Sequence, residues 1–283
     1  MDKFEEVFSK YDFKLNDNII SENINDIIGR MEKKEDSQIL KFIYSCIDLT
    51  SLNTDDSKES IWKFIENLNN LEGSRPDMDN VAAVCVYPNF VQIVKDALTA
   101  DIKIASVAGG FPSSQTFTEI KIAETSLAVS DGADEIDVVL NIGDFIDNNY
   151  VEIAEEISEI KDACREAKLK VILETGLLKT SVNIKKAAIL AMYSGADFIK
   201  SSTGKIYPGA SPEAIYIMCQ TIKEYYKLHN KRIGIKISGG IRTNKDAILY
   251  YSIVKEVLGE EWLTPELFRI GASGLAQIIL QSI

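Results

Sequence analysis

Short runs rich in valine and isoleucine alternate along the chain with longer amphipathic segments. An apolar run of about four to eight residues suits a strand buried on both faces, and a helix-length pattern between runs suits a covering helix. The alternation therefore predicts repeated βα units around a parallel sheet. Eight strands are expected, at residues 43–49, 81–87, 102–108, 135–141, 170–175, 197–202, 233–238 and 268–272. Between them a helix is predicted over 118–130, with Ile120, Ala123, Leu127 and Ala128 on its apolar face. Another opens at Ser211-Pro212-Glu213, an N-cap followed by proline in the first turn. Thr243 and Asp246 have the spacing of a capping box for a helix reaching Val257. Gly132-Ala133-Asp134 and Gly195-Ala196-Asp197 echo one another, each ending a helix and leading into a strand.

Eight strands with intervening helices in 283 residues favour a closed (β/α)8 TIM barrel over an open doubly wound sheet. Residues 1–40 are expected to be an N-terminal helical extension packed on the barrel, with short helices around 3–10 and 24–34; residues 41–283 form the barrel itself. The polar stretch 67–80, with Gly73 and Pro76, reads as a loop rather than a linker, so one barrel domain is expected.

Alternation along each strand separates the helix-facing side chains from those that enter the barrel. On the seventh strand Ile233, Ile235 and Ile237 face the helices, which leaves Gly234, Lys236 and Ser238 inside. The sixth places Phe198, Lys200 and Ser202 on one face, the fourth Glu135, Asp137 and Val139, and the first Cys46, Asp48 and Thr50. Lys200, Lys236, Asp137 and Asp48 should thus converge on the upper mouth, where barrels of this architecture hold their active sites. Strand lysines can be structural ion-pair partners, here of Asp137 and Asp48. Two on adjacent strands, about 4.8 Å apart, are harder to explain in that way because their charges repel. Burial and a like charge both favour the neutral amine, a nucleophile for carbonyl carbon.

Composition narrows the chemistry. With 31 Lys+Arg against 43 Asp+Glu, a formal charge of −12 and no concentrated basic stretch, neither nucleic acid nor an anionic membrane surface is an expected partner. The first thirty residues lack the apolar stretch of a signal peptide, and no later run could span a bilayer; a cytoplasmic protein is expected. Cys46, Cys85, Cys164 and Cys219 lie far apart without a CxxC pair and read as reduced thiols. The single histidine, His229, falls in a polar segment at a fraying helix end. Imidazole-dependent nucleophiles and multi-histidine metal sites are accordingly disfavoured, and no metal is expected. Glycines after the last two strands, in Gly239-Gly240-Ile241-Arg242-Thr243 and Gly271-Ala272-Ser273-Gly274, sit in the two loops where barrels present backbone N–H groups to phosphate.

Longer motifs carry a more specific likeness. Ile47-Asp48-Leu49-Thr50-Ser51-Leu52-Asn53, Ala82-Ala83-Val84-Cys85-Val86-Tyr87-Pro88, Gly132-Ala133-Asp134-Glu135-Ile136-Asp137-Val138-Val139 and Val171-Ile172-Leu173-Glu174-Thr175-Gly176 come in order. They are followed by Gly195-Ala196-Asp197-Phe198-Ile199-Lys200-Ser201-Ser202-Thr203-Gly204-Lys205, Ile235-Lys236-Ile237-Ser238-Gly239-Gly240-Ile241-Arg242-Thr243 and Arg269-Ile270-Gly271-Ala272-Ser273. From Tyr44 onward the chain resembles the deoxyribose-phosphate aldolase family of metal-independent class I aldolases.

The resemblance implies reversible cleavage of 2-deoxy-D-ribose 5-phosphate to D-glyceraldehyde 3-phosphate and acetaldehyde, in deoxyribonucleotide catabolism, with no cofactor. It makes Lys200 the Schiff-base lysine, Lys236 the second lysine that depresses its pKa and assists proton transfer, and Asp137 a partner in a water-mediated relay; strand geometry alone does not choose between the lysines. Asp48 and Thr50 match positions lining the pocket near the sugar hydroxyls, and Thr203, Gly204, Lys205, Gly239, Gly240, Gly271 and Ser273 match those around the phosphate. Cys85 matches a pocket cysteine and is assigned to packing. Ile237-Ser238 stands where many relatives have Pro-Ala, and Gly274 where a second serine often follows Ser273; both departures bear on phosphate affinity. A homodimer is left open, since no residue pattern selects an assembly. The alternatives are another Schiff-base barrel aldolase or transaldolase acting on a different sugar phosphate, and a noncatalytic barrel that binds phosphorylated metabolites.

Overall fold

Eight parallel strands close on themselves in sequence order in the computed structural model, which describes residues 3–31, 36–71 and 74–283. They are β1 (Ile47–Thr50), β2 (Ala83–Val86), β3 (Lys103–Ala108), β4 (Glu135–Val139), β5 (Lys168–Ile172), β6 (Phe198–Lys200), β7 (Gly234–Ser238) and β8 (Phe268–Ala272), with β8 pairing back onto β1. Three helices precede the barrel: α1 (Lys3–Phe8), α2 (Asp17–Arg30) and α3 (Ser37–Ser45). Between and after the strands come α4 (Lys58–Asn69), α5 (Val91–Ala97), α6 (Thr118–Asp131), α7 (Ile142–Ile146), α8 (Tyr150–Cys164), α9 (Thr175–Leu178), α10 (Ser181–Tyr193), α11 (Pro212–His229), α12 (Asn244–Leu258) and α13 (Leu275–Ser282).

The expected (β/α)8 TIM barrel is therefore present, and alternation sorts its side chains as read from the sequence. Ile233, Ile235 and Ile237 join the large apolar core between barrel and helices, as do Ile136, Val138 and Leu140. Ala83, Cys85, Ala105 and Val107 of β2 and β3 form a separate small cluster inside the barrel. The two glycine echoes prove to be one repeated device. Asp134 accepts from Ile104 N and Asp197 from Leu169 N, each at 2.8 Å, so each aspartate ties the start of its own strand to the strand before it.

Several boundaries move. Residues 43–45 belong to the end of α3, because Leu40, Ile43 and Tyr44 have helical spacing and are buried as one face. Cys46, with φ −98° and ψ 4° at the α3 C-cap, is outside β1 and packs in the outer core, so it does not share the lumenal face of Asp48. The fifth strand begins at Lys168, two residues earlier than expected. Helix α2 starts at Asp17, where the Asn16 side chain caps it; residues 32–34 of the expected second helix lie outside the described residues, as does Gly73. Both caps read from the sequence are present, at Ser211 and as the Thr243–Asp246 box.

Helix α6 departs most. Ile120 and Leu127, expected to face the core, are 54% and 65% exposed, while Lys121, Thr125 and Ala128 are buried. The reason is an ion pair: Lys121 Nζ lies 2.8 Å from Glu156 of α8 and donates to Ser114 at 2.8 Å, and this contact sets the rotation of the helix. The N-terminal helices lie along the flank, α1 against α8 and α10, and α2 against α11 and α12.

Candidate active site

The barrel interior holds a contiguous ion network of seven side chains. Asp137 of β4 is its hub: Oδ2 accepts from Lys200 Nζ at 2.8 Å and from Lys236 Nζ at 2.7 Å, while Oδ1 accepts from Lys170 Nζ at 3.0 Å. Lys200 and Lys236 are Cα partners on β6 and β7, so strand register brings their side chains to a single oxygen. Asp48 of β1 pairs with Lys236 at 2.5 Å, Lys170 at 3.2 Å and Arg269 at 2.6 Å. Glu135 pairs with Lys170 at 2.5 Å and with Arg269 at 2.7 Å. Gly271 makes room for this packing, since a Cβ there would stand 3.1 Å from Lys236 Cε and 3.0 Å from Ser238 Cβ.

Counting formal charges, three carboxylates (Asp48, Glu135, Asp137) face four bases (Lys170, Lys200, Lys236, Arg269). One positive charge is in surplus, deep in a low-dielectric interior where surplus charge is costly. The bases are not equal. Lys170 touches three carboxylates, Lys236 and Arg269 two each, and Lys200 only one, which it shares.

The electrostatics follow that order. Burial pushes the Lys200 amine below its ordinary value; Asp137 opposes this and the Lys236 ammonium reinforces it, with a net fall. For Lys236, burial acts downward but Asp137 and Asp48 outweigh it, and its value rises. Lys170 is held well above the usual range because Asp137, Asp48 and Glu135 overcome burial. Burial would raise Asp137, yet Lys170, Lys200 and Lys236 hold its carboxyl well below the usual range. Of the two inward lysines, Lys200 is thus the one that loses its proton more readily.

Above the network a cavity of about 280 Å³ opens at the C-terminal ends of the strands. Its wall carries Lys200, Thr50, Thr203, Gly204, Lys205, Gly239, Gly240, Gly271 and Ser273, so nearly the whole expected substrate set is brought together. Asp48 is the exception. Fully buried and held by Lys236, Lys170 and Arg269, it is absent from the cavity wall. Asp137 and Lys236 are also off the wall, so among the seven networked groups only Lys200 opens on the cavity.

The glycine-rich end of the cavity, where the sequence leads one to expect phosphate, is built from three loops. Gly239 and Gly240 have φ of +89° and +82°, a left-handed pair that β-carbons disfavour and that turns successive backbone N–H groups. Glu174, which the sequence reading left without a role, fastens the β6 loop: it accepts from Ser202 Oγ at 2.7 Å, Thr203 Oγ1 at 2.6 Å and Thr203 N at 3.2 Å. Lys205 crosses the cavity mouth to donate to the Leu52 carbonyl. Ser238, a departure from the common pattern, donates to Ser202 O at 2.6 Å and so ties β7 to the same loop. Gly274 caps α13 without a side-chain bond, and nothing lies within 4 Å of where its Cβ would be.

Lys170 and Arg269 were missed by the sequence reading, although the signal was present. Leu169, Val171 and Leu173 face the helices, which leaves Lys170 inside; Phe268 and Ile270 do the same for Arg269. Cys85 is fully buried in the small lumenal cluster and burial pushes its thiol up, in keeping with packing. His229 is exposed, bonded to Tyr193 Oη at 2.7 Å, and absent from the cavity wall.

Comparison with known proteins gives a consistent result. The family described as DeoC/LacD family aldolase matches residues 42–256. The deoxyribose-phosphate aldolase of Homo sapiens is 42% identical over 248 residues, covering 84% of this chain and 78% of that protein. The Bos taurus deoxyribose-phosphate aldolase is 42% identical over 242 residues, with 82% and 76% covered. Among solved structures, an aldolase called QR15 is similar with a TM-score of 0.70 and 31% identity, covering 85% of this chain and 95% of that one.

Proposed function

The chain belongs to the DeoC/LacD family of aldolases, and from that premise we propose that it reversibly cleaves 2-deoxy-D-ribose 5-phosphate to D-glyceraldehyde 3-phosphate and acetaldehyde through a Schiff base on Lys200. The observation that carries this reading is the position of Lys200. It alone of the lumenal bases reaches the cavity, and it shares Asp137 Oδ2 with a lysine that keeps its proton.

In the proposed mechanism, Lys200 Nζ adds to the open-chain aldehyde carbon and loss of water leaves an iminium. As the C3 hydroxyl gives up its proton, the C2–C3 electron pair moves into the iminium. C3 becomes the carbonyl of D-glyceraldehyde 3-phosphate, and an enamine remains on Lys200. Protonation at C2 and addition of water release acetaldehyde and return the amine. Lys236, charged at the outset, gives its proton through water to the hydroxyl that leaves as the iminium forms; then neutral, it takes up the C3 hydroxyl proton during scission and returns it at enamine C2, while Asp137 orients the relay through water rather than storing the proton, being held too acidic for that. Metal plays no part in this scheme.

Glycines 204, 239 and 240, Ser273 and Lys205 receive the phosphate, while Thr50 faces the sugar end of the cavity. The four cysteines are buried free thiols, which supports a reducing compartment, the cytoplasm. The test is a cleavage assay on 2-deoxy-D-ribose 5-phosphate, with EDTA, on the protein and on Lys200→Met. Chelator-resistant cleavage that disappears in the variant is expected. Preferential cleavage of another sugar phosphate would favour the alternative aldolase or transaldolase, and binding without turnover a noncatalytic barrel.

A further inference from the structure

Below the cavity lies a second tier of charge that no step of the mechanism uses. Lys170, Glu135 and Arg269 are at most 2% exposed, are absent from the cavity wall and share no ion pair with Lys200. The guanidinium of Arg269 grips Glu135 with two nitrogens, at 3.1 and 2.7 Å, and reaches Asp48 with one of them. Lys170 joins this tier to the reacting one through Asp137 Oδ1. Such a network is costly to bury, and replacing it with apolar side chains would fill the same space. Its presence in the barrel interior calls for a use.

We propose that Lys170, Glu135 and Arg269 are positioning residues for charge, which by their number and sign make Lys200 the one lumenal base left uncharged. The inference rests on the reading of Lys200 as the nucleophile. Around Lys200 the buried ionisable groups of the barrel strands are Asp48 of β1, Cys85 of β2, Asp137 and Glu135 of β4, Lys170 of β5, Lys236 of β7 and Arg269 of β8, with Lys205 and Arg242 on the cavity wall; β3 offers Ala105 and Val107, its Lys103 standing at the exposed start of the strand. Cys85 is kept a neutral thiol by burial, so the sum is set by the seven networked groups. Removing one lower-tier cation leaves three carboxylates for three bases, a balance in which Lys200 can keep its proton. Removing one lower-tier carboxylate leaves two for four and drives the proton off more strongly.

The signs of the two changes are therefore opposite, although neither residue touches substrate. The test is the acid limb of the pH profile of kcat/KM for 2-deoxy-D-ribose 5-phosphate cleavage by the full-length protein. Lys170→Met should move that limb alkaline by about one pH unit or more, roughly a tenfold loss of rate at a fixed pH below it. Glu135→Gln should move it acid, and the double variant should return it toward the starting position. A structural role would lower activity in both single variants without moving the limb in opposite directions. Limbs that stay in place, or move the same way, in folded protein overturn the proposal. If Lys170→Met does not fold, the isosteric Glu135→Gln and the charge-compensated double variant decide it. Labelling by acetaldehyde and borohydride separates the two levels: failure to label Lys200 rejects the nucleophile assignment, whereas labelling with unmoved limbs rejects only the lower-tier proposal.

Discussion

Buried lysines occur in two regions of this molecule, and they are arranged differently. In the helical layer Lys121 pairs with Glu156 and Lys185 with Glu224, one base to one acid. The acids are 10% and 33% exposed, so each pair keeps contact with solvent. In the lumen, Lys170, Lys200 and Lys236 share carboxylates with one another and with Arg269, and no member of the network is more than 4% exposed. Burial is common to both regions, so burial alone does not make a nucleophile. The distinguishing feature is the shortage of carboxylates, together with a cavity that meets one of the bases.

The comparison can be broken most forcefully at Lys200. Lys200→Met should lower kcat by about four decades or more in a cleavage assay, leaving a folded protein. A kcat within tenfold of the parent would place the nucleophile elsewhere. Asp137→Asn should cost roughly 10²- to 10⁴-fold in kcat, since it removes the acceptor common to three lysines. Lys121→Met tests the helical layer. Because Glu156 reaches solvent, the broken pair should cost only about 2 kcal/mol in urea denaturation, with the acid limb of activity unmoved.

Acid titration followed by circular dichroism addresses the carboxylates as a set. Burial raises all three, yet the neighbouring cations hold Asp48, Glu135 and Asp137 below ordinary values of 3.8, 4.5 and 3.8. The unfolded chain then binds more protons than the folded one at low pH. Their contribution is present above those ordinary values and is lost as pH falls through the folded ones. A decline beginning near neutrality would contradict the network. The smallest effect is expected from Gly274→Ser. With open space at the Cβ position and φ of −102°, the added hydroxyl should lower KM for phosphorylated substrate a few-fold, about 1 kcal/mol, without changing kcat.

The barrel was legible because all eight strands are apolar runs, and because β4, β6 and β7 alternate cleanly enough to show Asp137, Lys200 and Lys236 as inward. The same rule applied to β5 and β8 would have found Lys170 and Arg269; a strand start set at Lys170 rather than Lys168 hid the alternation on β5. What periodicity could not show was depth. Asp48 and Thr50 share a lumenal face, but only contacts across the barrel reveal that Asp48 is held by Arg269 and two lysines while Thr50 reaches the cavity. Helix α6 failed for a related reason. An ion pair to Glu156, distant in sequence, decided which face was buried, against the local apolar pattern. Glu174 went unread because its work is holding Ser202 and Thr203, a role visible only in three dimensions.

The central claim is most directly tested by treating the protein with acetaldehyde and borohydride near neutral pH and mapping the modified peptide by mass spectrometry. A single reduced ethyl adduct on Lys200 is predicted, with Lys170 and Lys236 unmodified. An adduct on Lys236 or Lys170, or none on any lumenal lysine, would contradict the account.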